Sequence, residues 1–132
     1  MGLKPRIRPG AIDLRRVSAQ LRQFSLGLPG ATEEFPWGER VAKVRGKVFV
    51  FLGRDDPASV GFSVKLPHSG QDVLAMPFAT PTGYGLGRAG WVSVHFEASD
   101  DVPAEMLEGW IEESYRAIAP KKLIAELDAA RG

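Results

Sequence analysis

Residues 85–92 read Gly85-Leu86-Gly87-Arg88-Ala89-Gly90-Trp91-Val92, a G-x-G-x-x-G-x-V spacing of the kind that lets a backbone approach nucleotide phosphates. A dinucleotide fingerprint must follow a strand, open a helix and find an acid about 20 residues on. Here MPFATPT precedes the glycines, the β-branched and aromatic WVSVHF follows, and the expected acid position falls near Trp110. A kinase loop would need V-A-I-K, H-R-D and D-F-G elsewhere, and none occurs. No G-x-x-x-x-G-K-[ST] is present either. With 15 glycines in 132 residues the match arises readily by chance, and the glycines read as turn formers that launch the next strand.

Other reactive arrangements are equally sparse. His68 and His95 fall in different elements, with no acid at ligand spacing, so no metal site is expected. Ser63, Ser69 and Ser93 lie in no nucleophile-elbow context. Glu33-Glu34 and Asp55-Asp56 read as solvated loop or turn acids, and the chain has no cysteine. Neither a cofactor nor an enzymatic role is therefore expected.

The remaining chemistry is cationic and aromatic. Arg40, Lys43, Arg45, Lys47, Lys65 and Arg88 can meet phosphates, and Trp91, with Phe49 or Tyr84, can stack on bases. Tyr84 and His95 are further candidates for loop or pocket contacts. Against this, the loop over 77–90 can cover Trp91 and Phe49, and lysines on an open sheet face also guard against edge pairing. A pI near 8.1 is low for a dedicated nucleic-acid binder.

The elements that must position these residues follow from periodicity. Residues 1–10 read as a flexible basic arm, followed by one domain over 11–132. Leu14, Val17, Leu21, Phe24 and Leu28 recur at steps of three and four, predicting an amphipathic helix from Ala11 to Leu28 that Pro29-Gly30 stops. ATEEFPWGER reads as a polar connection. RVAKV and KVFVFLG, separated by Arg45-Gly46, predict a tight hairpin with Lys43, Arg45 and Lys47 at its tip. Strict alternation there cannot turn both Val41 and Val44 inward.

In VGFSVKL, Val60, Phe62, Val64 and Leu66 share one face, leaving Ser63 and Lys65 on the other. A short helix is expected over 70–76 with Ser69 as its cap. A long loop then leads to the strand WVSVHF, with Val92, Val94 and Phe96 inward and Trp91, Ser93 and His95 outward. Asp101 can cap a helix whose buried stripe is Leu107, Trp110, Ile111, Ser114/Tyr115 and Ile118. A last helix runs over 121–130. Short links between strands and helices at the chain ends predict an α+β two-layer sandwich: an antiparallel sheet with N- and C-terminal helices on one face, the other face open.

The bases Lys4, Arg6, Arg8, Arg15, Arg16 and Arg22 lead the chain, whereas 97–113 holds seven acids and no base, within a net charge of +1. This asymmetry predicts one anion-attracting end. No apolar run approaches the roughly 18 residues of a membrane span. The N-terminus has no apolar core of a secretory signal. A cytoplasmic protein is the expectation; a monomer is compatible with the sequence, which does not set the oligomeric state.

LPGATEEFPWG, the hairpin RVAKVRGKVFVFL, FSVKL, TPTGYGLGRAGWVSV and WIEESYRAI, in that order over residues 11–120, resemble the MmcQ/YjbR-like family. The informative pieces are Leu28-Pro29-Gly30, Trp37-Gly38, Lys43, Gly46-Lys47-Val48-Phe49, Lys65, Trp91 and Ser114-Tyr115. The resemblance implies a CyaY-like (frataxin-like) fold and DNA binding through a double wing of β-hairpins. Relatives carry a more polar, histidine- and lysine-containing stretch where this chain has GYGLGRAGW, which leaves Arg88 as the cation there. Frataxin binds iron with acids on its first helix. Here that helix carries Arg15, Arg16 and Arg22 with Asp13 its one acid, which argues against an iron chaperone, and fold alone does not transfer function. Two readings result: a nucleic-acid (DNA) binder using basic hairpin tips and an open sheet face, or a non-enzymatic partner- or small-molecule-binding module. An enclosed pocket beside Trp91 would favour the second.

Overall fold

Residues 14–97, 100 and 103–132 are described by the computed structural model. The basic arm, the start of the first helix at Ala11, Asp13 and the Asp101 cap lie outside these residues. The described elements are α1 (Leu14–Leu26), β1 (Ala31–Glu34), β2 (Arg40–Val44), β3 (Lys47–Gly53), β4 (Ser59–Lys65), α2 (Gly70–Leu74), β5 (Ala79–Pro81), β6 (Trp91–Glu97), α3 (Ala104–Ile118) and α4 (Lys121–Ala130), with 3₁₀ turns at Pro36–Gly38 and Leu86–Ala89. The strands form one antiparallel sheet in the order β1-β2-β3-β4-β6-β5. The α+β class expected from the sequence is what the chain adopts.

The alternating residues divide the sheet into two faces. Val60, Phe62 and Val64 of β4 pair with Phe96, Val94 and Val92 of β6, and all six are buried in the helix-side core. Leu14, Val17 and Leu21 of α1 join Leu107, Trp110, Ile111 and Tyr115 of α3 in covering them. Ser25, rather than Phe24, takes the buried place on the α1 stripe, its hydroxyl donating to the Leu21 carbonyl 2.8 Å away. Phe24 is only partly buried. In β2, Ala42 and Val44 face the helices and Val41 faces away, which resolves the phase that the pattern left open.

Two segments read as connections contain edge strands. Ala31–Glu34 pairs with β2, and Ala79–Pro81 pairs with β6. Neither shows an apolar alternation, because an edge strand has little to bury. Pro81, which cannot donate to a ladder, is tolerated at such an edge.

The β3–β4 ladder runs through Phe51↔Ser63 and Val50↔Val64, and its next step would be Phe49 opposite Lys65. That step is missing. β3 bulges there: Val50 pairs with Ala42 and Val48 with Lys43, leaving Phe49 as an extra residue. The Ser114 hydroxyl of α3 fills the gap, accepting from the Lys65 N–H at 2.8 Å and donating to the Phe49 carbonyl at 2.5 Å. Its neighbours extend the clamp. Glu113 accepts from the backbone N–H groups of His68 (2.8 Å) and Ser69 (2.9 Å) and from the Ser69 hydroxyl (2.6 Å). Ser69 thus sits at the cap position of α2 but gives its hydroxyl to Glu113 instead. Tyr115 donates to the Pro29 carbonyl at 2.6 Å and meets the Phe49 ring edge-on at 5.3 Å.

Replacing Ser114 by alanine strands a buried donor and a buried acceptor at once. We expect Ser114→Ala to lower the unfolding free energy by about 2–4 kcal/mol in urea titration; a loss under about 1 kcal/mol would show that the gap is satisfied otherwise. Burial pushes the Glu113 carboxyl up, but the bonds from Ser69 and His68 outweigh it and hold the group below the ordinary glutamate range. A carboxylate with a lower pKa folded than unfolded gives stability above its unfolded pKa and loses it as pH falls through the folded value. Glu113→Gln should therefore melt below wild type at neutral pH and lose less of its melting temperature on acidification, as read by a thermal series.

Candidate nucleic-acid interface

On the face away from the helices, Val41 pairs with Phe51, Phe51 with Ser63 and Ser63 with Ser93, forming one row across four strands. Ser93 lies 2.6 Å from the Ser63 hydroxyl and 2.9 Å from that of Thr82. Beside this hydroxyl ladder Trp91 meets Phe51 edge-on at 5.4 Å between ring centroids. Val41 and Trp91 are 2% and 8% exposed, yet neither belongs to the helix-side core. The outer face therefore carries an apolar island of its own. Trp91 was expected to offer its ring to bases; in the fold that ring is largely covered. Phe49 is fully buried against Tyr115, so it offers no surface either.

The six candidate cations separate into two groups. Arg40 is held on the helix side, 2.9 Å from Asp55 and 3.0 Å from Glu33; the latter is ion-pair contact, out of line for a hydrogen bond from Nε. Its guanidinium also covers the Phe35 ring, 5.1 Å from the centroid. Glu33 in turn accepts two bonds from Arg22 of α1, and those bonds hold its carboxyl below the ordinary range. Lys43 lies on the outer face 2.9 Å from Glu34. These two cations are already neutralised.

Arg45, Lys47, Lys65 and Arg88 have no acidic side chain within ion-pair distance among the described residues. The strand directions bring them to one end of the sheet. Arg45 occupies the β2–β3 turn, Lys47 opens β3, Lys65 closes β4, and Arg88 lies three residues before β6 begins. The opposite end carries Arg54, Asp55 and Asp56 between β3 and β4, and Glu97 and Asp100 at and beyond the end of β6. At about 4.8 Å per strand the cationic row spans roughly 10–15 Å.

Local backbone explains how the row is presented. Arg45 (φ 52°) and Gly46 (φ 80°) both adopt left-handed conformations, the type I′ turn that suits a two-residue hairpin. The glycine motif is equally structural. Gly85 and Gly90 sit at φ 78° and 91°, and a Cβ on Gly87 would lie 2.9 Å from Pro81 Cβ. Tyr84, at φ 59°, is fully exposed. Arg45 and Tyr84 are the two non-glycine residues with positive φ among those described, and both sit at the cationic end.

His95 is exposed on the outer face and pairs with Glu97, two residues on along the same strand. Alternation puts residues i and i+2 of a strand on one face, so that acid was legible as a neighbour and was missed. His68 is exposed at the far end of β4, away from His95. Between α2 and the 86–89 turn lies an open cleft of about 520 Å³, lined by Leu66, Gln71, Asp72, Arg88, Trp91 and Val92 among others. No helix among the described residues is long and apolar enough to cross a membrane.

No curated protein matches the chain. The crystal structure of Deinococcus radiodurans protein DR2400, of domain family DUF419, is similar at a TM-score of 0.60 and 27% sequence identity, over 82% of this chain and 78% of that one. The family model of YjbR matches residues 26–117, a span from the end of α1 through most of α3 that includes the hairpin, the cationic end of the sheet and the Ser114 clamp. The chain belongs to the YjbR family.

Proposed function

We propose that this protein binds nucleic acid through the cationic end of its sheet. The observation that carries the reading is the gathering of Arg45, Lys47, Lys65 and Arg88, unpaired among the described residues, along one end of the sheet, whereas Arg54 at the opposite end stands among Asp55, Asp56, Glu97 and Asp100. Polyanions release counterions on meeting such a row, and four contacts suffice for a salt-sensitive, sequence-independent interaction. The row is long enough to follow several successive phosphates of one strand. The acidic opposite end orients the molecule, turning its cations toward the polyanion. The hairpin turn and the outer sheet face carry the contacts, without base stacking by Trp91. DNA is the expected partner, and a cytoplasmic location goes with it. The second reading, a non-enzymatic module for a small molecule or partner, finds an open cleft beside Trp91 rather than an enclosed pocket. Binding that does not weaken with salt would favour that one.

Fluorescence anisotropy with a generic labelled duplex, repeated over a salt series, separates the two. Four phosphate contacts predict a slope of log affinity against log salt of about −3 to −4. Arg45→Glu, Lys47→Glu and Lys65→Glu together should reduce that slope to about −1 or less and weaken binding at low salt at least tenfold. Arg40→Gln should lose stability but keep its affinity, because Arg40 is occupied by Glu33 and Asp55. Undetectable binding of the wild-type chain at low salt, or a triple variant that binds as well as wild type, would refute the proposal.

A further inference from the structure

The cleft between α2 and the 86–89 turn is backed by Leu66, Trp91 and Val92, each no more than 8% exposed, and edged by Gln71, Asp72, Leu74 and Arg88. It is an open cleft of about 520 Å³, room for a planar ring held at its edges by polar groups. A heteroaromatic ring with hydrogen-bonding edges fits that chemistry. Arg88 belongs both to the rim and to the cationic row, so a phosphate on the row and a ring in the cleft can belong to one nucleotide. In the same connection between β5 and β6, Tyr84 stands 104% exposed at φ 59°. A non-glycine residue held left-handed with its ring in water is a strained arrangement, and such strain collects at functional positions.

We infer that the preferred ligand is an unpaired nucleic-acid strand, one base of which enters the cleft while a neighbouring base stacks on Tyr84. The inference rests on the nucleic-acid reading above and sharpens it. In a duplex the bases are already paired and stacked, so neither the cleft nor Tyr84 finds a partner unless a nucleotide is first extruded. In a single strand both are free to bind, and stacking on an aromatic ring adds affinity without requiring a particular sequence.

The test compares a labelled single strand of about 12 nucleotides with the duplex of the same sequence, by anisotropy at one salt concentration. The wild-type chain should bind the single strand about tenfold more tightly. Tyr84→Gly, which removes the ring and suits the backbone conformation, and Gln71→Trp, which fills the cleft from an exposed position, should each erase most of that preference. Both variants should keep duplex affinity and a melting temperature near that of wild type. Equal affinity for the two forms, or a preference that survives both substitutions, overturns the inference while leaving phosphate binding intact. Binding of neither form overturns this inference and the proposed function together. Free deoxyadenosine monophosphate competing as strongly per nucleotide as the oligomer would give the cleft to a free nucleotide and overturn the strand.

Discussion

One hydroxyl, on Ser114, holds the sheet together at the point where its own hydrogen bonding fails. β3 carries an extra residue at Phe49, so the ladder to β4 opens just where the two strands approach the cationic end. An open ladder inside a core leaves backbone groups that neither water nor strand can reach, a cost close to that of a lost hydrogen bond for each. Ser114 closes the gap from the helix layer. Because successive helical residues point about 100° apart, Glu113 and Tyr115 then reach in different directions, to the segment entering α2 and to Pro29 before β1. Three consecutive side chains of α3 thus fix the sheet, the α2 wall of the cleft and the approach to the edge strand. The last ladder step before the Lys65 end is set by a helix rather than by strand pairing.

Charge is distributed by the same logic. Arg22, Glu33, Arg40 and Asp55 neutralise one another between α1 and the β1–β2 side of the sheet. Glu112, Arg116, Asp128 and Arg131 do so between α3 and α4, where the bonds Arg116 donates to Asp128 and Glu112 raise its guanidinium further above its already high range. Partly exposed pairs of this kind add little stability each. Their larger effect is to cancel, so that a chain of net charge +1 retains a local excess of positive charge where no acid lies within ion-pair distance among the described residues. The near-neutral composition and the cationic row are therefore compatible: overall charge counts every residue, whereas a phosphate meets only those left unpaired.

What the sequence made legible was whatever is carried by period. The alternations of β4 and β6, the hairpin around Arg45-Gly46 and the stripe of α3 all appear in the fold where their spacing puts them. Period is silent on edge strands, and Ala31–Glu34 and Ala79–Pro81 read as connections because the apolar side chain each turns to the core is a single small alanine. It is silent on pairing too. Arg40 and Lys43 look like Arg45 and Lys47 in sequence, and only the register shows that the first two face Glu33, Asp55 and Glu34. Trp91 was placed on the correct face, but its burial there depends on Phe51, forty residues away in the chain. Ser114 stood out as part of a motif, while its role required knowing that β3 bulges.

The glycine loop shows how local constraint and function separate. Each glycine of its motif has a backbone reason: left-handed φ at Gly85 and Gly90, close approach to Pro81 at Gly87. None of these reasons involves a ligand. The residue that lacks such a reason is Tyr84, whose conformation a glycine would adopt more easily and whose ring touches almost nothing. Arg45 in the hairpin turn is the same case, a bulky side chain where Asn, Asp or Gly suits the type I′ geometry. Folding accounts for neither side chain, and each costs stability where it stands. Both lie at the end of the sheet where the unpaired cations gather. On the proposed reading, a partner that is anionic and offers flat surfaces would supply the account that packing does not.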